Sequence, residues 1–260
     1  VLLEGKRLLI TGVLNDASIA FSVARLAQEQ GAQIVLTGFG RAQRITERVA
    51  KRLGDPPDVL ELDITEPAHL ERVAAELDER WGALDGVLHA IAFAPQSAMG
   101  GQFLYTPWDD VAHSVHVSTY SLVALARALA PLLARSGGGA IVGLDFDATV
   151  AWPAYDWMGV AKAGLESCCR YLARDLGAQQ TRVNLVAAGP LQTVAARNID
   201  GFADLQQAWS GRAPLGWDTQ DPEPVARVVC ALLSDWTPAV TGEIIHVDGG
   251  VHAMGADIRS

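Results

Sequence analysis

Short apolar runs alternate with longer segments of helical period from one end of the chain to the other, and no linker or internal repeat interrupts them. Seven runs read as strands: Arg7–Thr11, Gln33–Thr37, Asp58–Asp63, Gly86–Ile91, Ala140–Leu144, Arg182–Ala187 and Glu243–Val247. Several are apolar on consecutive residues, as in Leu8-Leu9-Ile10 and Ile34-Val35-Leu36, which is the pattern of strands covered on both faces. Ser18–Gln30 reads as a helix capped by Ser18 and stopped at Gly31, and Pro67 opens another that ends before Gly82. Further helices are expected over about Trp108 to Arg135, Tyr155 to Gly177 and Pro224 to Asp235. This order predicts an α/β chain with a doubly wound, seven-stranded parallel sheet, helices on both faces and a single domain over residues 1–260. Its ligand belongs beyond the carboxyl ends of the strands.

Composition narrows the function. With 20 Lys plus Arg against 30 Asp plus Glu, the net charge is −10 and no basic run occurs, so nucleic acid is not an expected partner. The three cysteines, Cys168, Cys169 and Cys230, form no C-x-x-C pair, which favours a reduced, cytoplasmic setting over a disulfide framework or a zinc site. The opening residues show no signal-peptide pattern. Leu122–Ala134 is interrupted by Arg127 and is shorter than the roughly 20 residues a bilayer demands, so it reads as a buried helix.

The first strand runs into Thr11-Gly12-Val13-Leu14-Asn15-Asp16-Ala17-Ser18-Ile19. A glycine there lets the backbone approach a diphosphate, and the helix that follows presents unpaired N–H groups to the anion. Ser18 can cap that helix, bind a phosphate oxygen, or do both. Asp63-Ile64 follows the third strand, where a carboxylate and a backbone N–H can hold adenine; the alternative for Asp63 is a helix cap. Small residues around Ile91 admit a ribose. After the second strand stands Phe39-Gly40-Arg41, with no acid for a ribose 2′-hydroxyl. Phe39 stacks on adenine or is core, and Arg41 and Arg44 bind a 2′-phosphate or are solvated.

Tyr155 and Lys162 are seven residues apart, so a helix puts them nearly on one face, about 10 Å apart along its axis. A tyrosine hydroxyl can donate to developing negative charge, and an ammonium can hold sugar hydroxyls while lowering the phenol pKa. A core Tyr beside a surface Lys would look the same.

With these residues the chain resembles the enoyl-[acyl-carrier-protein] reductases of type II fatty acid synthesis, within the short-chain dehydrogenase/reductase superfamily. The resemblance spans essentially the whole length. It rests on Gly12 with Ser18 and Ala20, Leu62-Asp63-Ile64, His89 to Gln96, Asp145-Phe146-Asp147, Tyr155 with Lys162, Ala188-Gly189-Pro190, and Thr241 to Gly250. The commoner superfamily branch has three residues between Tyr and Lys and a Ser about thirteen before the Tyr; Gly159 and Val142 stand at those places, which disfavours ketone and alcohol chemistry.

The resemblance implies a Rossmann fold and reduction of a trans-2-enoyl thioester by NADH, with NADPH left open. It casts Tyr155 as donor to the thioester oxygen, Lys162 as ligand of the nicotinamide ribose and Phe146 as the wall beside the reacting carbons. Gly12, Ser18, Ile19, Phe39, Asp63, Ile64, Ile91, Lys162, Gly189, Pro190, Leu191 and Thr193 are the implied dinucleotide contacts. The Thr193 hydroxyl would hold the diphosphate or the nicotinamide amide, a helix cap being the alternative. Residues 191–217 suit a lid over the acyl chain, and an acyl carrier protein is the implied partner. Leu122–Ala134 and Val247–Met254 would pack between subunits of a homotetramer.

Ala90 and Ala92 depart from the Ser and Gly frequent in the family, and Gln192 replaces a frequent Arg. Asp200, Ala203 and Asp204 stand where basic residues would meet an acidic carrier, with Arg197 and Arg212 the nearest cations. A coenzyme A thioester, a specialised polyketide pathway and a catalytically silent NAD(P)-binding regulator are the alternatives. No metal site is expected; His113 and His116 lack a third ligand.

Overall fold

The computed structural model describes residues 1–193 and 202–257. Seven strands, β1 Arg7–Ile10, β2 Gln33–Gly38, β3 Val59–Glu61, β4 Gly86–His89, β5 Ala140–Asp145, β6 Arg182–Ala188 and β7 Ile244–Val247, form one sheet in the order β3-β2-β1-β4-β5-β6-β7. Every pairing is parallel. The order reverses between β1 and β4, and that reversal opens a crevice at the carboxyl ends.

Alternate strand residues face opposite layers. Leu8, Ile10, Ile34, Leu36, Leu88, Val142 and Val186 pack with helix α1 (Ile19–Glu29), the end of α2 (Gly40–Ala50) and α8 (Glu223–Leu233). Leu9, Val35, Val87, Ile141, Val183 and Leu185 pack on the other face with α3 (Pro67–Trp81), α5 (Ser121–Arg135) and α6 (Asp156–Leu176). The apolar runs of β1 and β2 are therefore buried, and the sheet is covered on both sides except at its edges, where β7 is half-buried and β3 partly exposed.

Several expectations change. Helix α2 had no place in the sequence reading, because only Thr46, Val49 and Ala50 of it are buried and its apolar stripe is thin. Trp108–Arg135 is not one regular helix: α4 (Trp108–Val115) passes through a π-helical stretch, His116–Tyr120, into α5. Its 28 residues are long and apolar enough to cross a membrane, yet Leu122, Leu125, Leu129, Leu132 and Leu133 are buried in the core. Strand β4 stops at His89 rather than Ile91 because the Ala90 N–H donates to Thr11 Oγ1 at 2.9 Å and leaves the ladder. Helix α7 (Phe202–Arg212) precedes α8, which ends at Leu233 where Asp235 was expected, and β7 follows it.

Candidate active site

The strand ends supply the site in turn. After β1 the backbone turns at Gly12 with φ +79°, and a Cβ there would lie 2.1 Å from the Ala90 carbonyl oxygen. The Thr11 hydroxyl, donating to Leu88 O at 2.9 Å, ties β1 to β4 beside it. Ser18 caps α1 by accepting from Phe21 N at 3.1 Å and donates to Asn15 O at 2.7 Å. No acidic residue occupies the first turn of α1, and Asp16 just before it is ion-paired with Arg52, so this end of the crevice suits an anion. A cleft of about 210 Å³ lies there, lined by Ala17, Leu191, Gln192, Thr219, Gln220 and Pro222. An anion meets no acidic side chain in this lining.

After β2, Phe39 is 49% exposed, which removes the core alternative and leaves its ring at the surface. Arg41 and Arg44 are exposed. Asp63 is not the cap of α3: its Oδ1 accepts from Thr65 N at 3.0 Å and Thr65 Oγ1 at 2.7 Å, holding a turn, while Glu66 occupies the cap position. Ile64 is buried under β3, and Ile91 is half-buried after β4. After β6, Gly189 has no room for a side chain: a Cβ would meet Trp209 Nε1 and Trp217 Cε2 at 2.7 Å each. Trp217 Nε1 donates to Pro190 O at 2.8 Å, and Gln192 N donates to Thr219 O at 2.7 Å. Leu191 is buried, and Thr193 N donates to Leu191 O at 2.7 Å.

Tyr155, Phe146 and Lys162 converge at the end of β5. Tyr155 is the residue before α6 rather than its first helical residue, and it stands between Ala154 (φ +58°) and Asp156 (φ +41°). Two left-handed non-glycine residues are costly, and Asp156 Oδ2 offsets the strain by accepting from Gly101 N at 2.6 Å and Gln102 N at 3.1 Å. The Tyr155 ring lies 4.9 Å from that of Phe146. No described residue hydrogen-bonds its hydroxyl. Burial, reinforced by the Asp145 carboxylate, raises the phenol pKa, so the expected lowering by Lys162 does not prevail. The hydroxyl stays neutral at physiological pH and serves as a donor.

Lys162 is buried and donates from Nζ to Leu144 O at 2.8 Å. Burial pulls its pKa down and Asp145 opposes the change. The π-helical stretch helps to position it: Thr119 Oγ1 donates to Ala161 O at 2.6 Å, one residue before the lysine, and Ser118 Oγ takes up both Phe93 N (2.9 Å) and Phe93 O (2.8 Å).

Three residues that the sequence reading did not place in the site, Trp152, His89 and Asp145, belong to its surroundings. Trp152 donates to Asp147 O at 2.7 Å and packs on Phe146 at 5.5 Å and Trp209 at 4.8 Å, joining α7 to the reacting loop. His89 and Asp145 lie buried behind Lys162. An acid at the end of an apolar strand was the one available signal. Arg212, expected near a carrier protein, instead turns inward onto Met254 O. Val194, Arg197, Ile199, Asp200 and Gly201 lie outside the described residues, as do the side chains of Phe202, Ala203 and Asp204. Among the described residues no group of three or more His, Cys, Asp or Glu could hold a metal; His113 packs on Phe93 and His116 on Tyr120.

Sheet order and crevice define a Rossmann-type protein of the short-chain dehydrogenase/reductase class. Residues 12–252 match the family model described as enoyl-(acyl carrier protein) reductase. An NADH enoyl-[acyl-carrier-protein] reductase of Mycolicibacterium smegmatis is 50% identical over 96% of this chain and 97% of its own length. Namesakes from Aquifex aeolicus and Bacillus subtilis are 39% and 37% identical, over 98% and 96% of this chain and 94% and 97% of their own. The chain belongs to the enoyl-[acyl-carrier-protein] reductase family.

Proposed function

We propose that the protein reduces the double bond of trans-2-enoyl thioesters carried on acyl carrier protein, with NADH as reductant, in type II fatty acid synthesis. The observation that carries this reading is Tyr155, a neutral phenol with no described hydrogen-bond partner, held in ring contact with Phe146 near a buried lysine. The relatives' names, which specify NADH, support the choice of reductant. When bound, NADH supplies the hydride equivalent that adds to the β-carbon of the enoyl group. Tyr155 donates its hydrogen bond to the thioester oxygen as negative charge gathers there, and a proton from solvent completes the α-carbon. Phe146 walls the reacting carbons and keeps water from them. Lys162 holds the nicotinamide ribose, beside Ile91. Gly12, Ser18 and Ile19 serve the diphosphate, Phe39, Asp63 and Ile64 the adenosine end, and Gly189, Pro190, Leu191 and Thr193 the nicotinamide end.

In the same reading the chain is one domain, residues 191–217 form the lid over the acyl chain, and the protein works as a cytoplasmic homotetramer. Mixing it with crotonyl and longer enoyl thioesters and NADH, then NADPH, and following nicotinamide absorbance tests the assignment. Oxidation of NADH that depends on the thioester is the expected outcome. A bound but unconsumed cofactor would support the silent regulator instead, and sedimentation as a monomer would overturn the assembly.

A further inference from the structure

The buried side of the crevice holds a group that the chemistry above does not use. On β5, Ile141, Gly143 and Asp145 alternate onto the face covered by α6, and Ile141 packs there in the same core as Leu165 and Cys169 of that helix. Asp145 is 6% exposed, and neither of its carboxylate oxygens makes a hydrogen bond of ordinary geometry among the described residues, the backbone N–H of Phe146 being the one donor that acts on it. An unpaired carboxylate in such a place is costly unless a positive charge compensates it. The cation that acts on it is Lys162, which makes no ion pair with it within 4.0 Å and whose Nζ is fixed to the carbonyl of Leu144, the residue directly before Asp145.

We propose that Asp145 is the counter-charge that keeps the Lys162 ammonium charged and in place for the nicotinamide ribose. It is a positioning residue, and the inference rests on the reading of Lys162 as the ribose ligand. The surroundings leave no other candidate among the described groups. His89, from β4, is wholly buried, bonded through Nε2 to Ser121 Oγ at 2.7 Å, and pushed down to about 3 by burial with Lys162 adding to the effect, so it stays neutral. Glu166 and Asp147 also act on Asp145, and both raise it. Glu166 is turned toward Ala148 N at 3.3 Å and Arg170 at 3.8 Å. Asp147 is occupied by Thr149 and lies 3.6 Å from His246. Tyr155 is neutral, and the Cys169 thiol is held up by burial. Burial lifts Asp145 to about 7 against the pull of Lys162. The carboxylate is therefore charged above neutral pH and loses its charge as pH falls through that value.

The test is NADH affinity from tryptophan fluorescence quenching, followed from pH 5.5 to 10, for wild type, Asp145→Asn, Asp145→Glu, Lys162→Met and the double variant Asp145→Asn/Lys162→Met. Wild type should weaken below about pH 7 as Asp145 takes up a proton, and again at alkaline pH as Lys162 loses one. Asp145→Asn should lack the acid step and begin its alkaline loss at least one pH unit lower, a tenfold deficit at the upper end. Asp145→Glu should restore the wild-type profile, and Asp145→Asn should change affinity less than about twofold in the Lys162→Met background. Asp145→Ser, smaller than the native side chain, repeats the series should the asparagine variant fail to fold. An Asp145→Asn profile that follows wild type, or losses that simply add, overturns the inference alone. Wild-type affinity in Lys162→Met overturns the ribose assignment, and the inference with it.

Discussion

Gly12 shows how little a residue need contain to be decisive. Its φ of +79° excludes an ordinary side chain, and the Ala90 carbonyl already occupies the place of a Cβ. Gly12→Ala should cost about 3 kcal/mol or more, since a left-handed alanine alone costs 1–2 kcal/mol and the clash is with backbone. Chemical denaturation measures the loss, and NADH binding should fall with it. Residues of this kind were legible in the sequence because their chemistry is local: a glycine at a strand end, a hydroxyl before a helix, a Tyr and a Lys seven apart. Asp145 was legible only as part of the Asp145-Phe146-Asp147 motif, because nothing in a linear pattern distinguishes a buried acid near a lysine from a solvated acid opening a loop. Asp63 was half legible. Its place after β3 was right, but its carboxylate holds a turn with Thr65 instead of capping α3.

Helices and strands were legible in proportion to the apolar surface they bury. The strands declare themselves because both their faces are covered, whereas α2 buries little and passed unseen. The π-helical stretch was hidden for another reason: inserting an extra residue per turn leaves composition unchanged and alters only where Ser118 and Thr119 point. Helix α7 meets the loop after β5 through an aromatic clasp, in which Trp209 contacts Phe146 at 5.6 Å and Trp152 at 4.8 Å. Removing Trp152 deletes two ring contacts and the hydrogen bond to Asp147. Trp152→Ala should therefore lower stability by about 2 kcal/mol, or about 4–8 °C in Tm for a chain of this size. It should also raise KM for the enoyl thioester more than KM for NADH. Thermal unfolding and steady-state kinetics check both, and an unchanged thioester KM would separate the clasp from substrate binding.

Across the protein, one topological fact organises the rest. Parallel strands send their carboxyl ends to the same edge, so groups from residues 12 to 193 reach one crevice although the sequence scatters them along the chain. In the proposed reading, binding of an extended dinucleotide is shared among many of these ends. In the proposed reaction, in contrast, one phenolic hydroxyl carries the chemistry. That division yields a sharp test: NADH affinity and the single-turnover rate of enoyl reduction, measured on Tyr155→Phe. The rate should fall by about 10²-fold, the usual loss for one preorganised donor, while the NADH dissociation constant stays within about twofold of wild type. An undiminished rate would contradict the assignment of Tyr155 as the donor to the thioester oxygen.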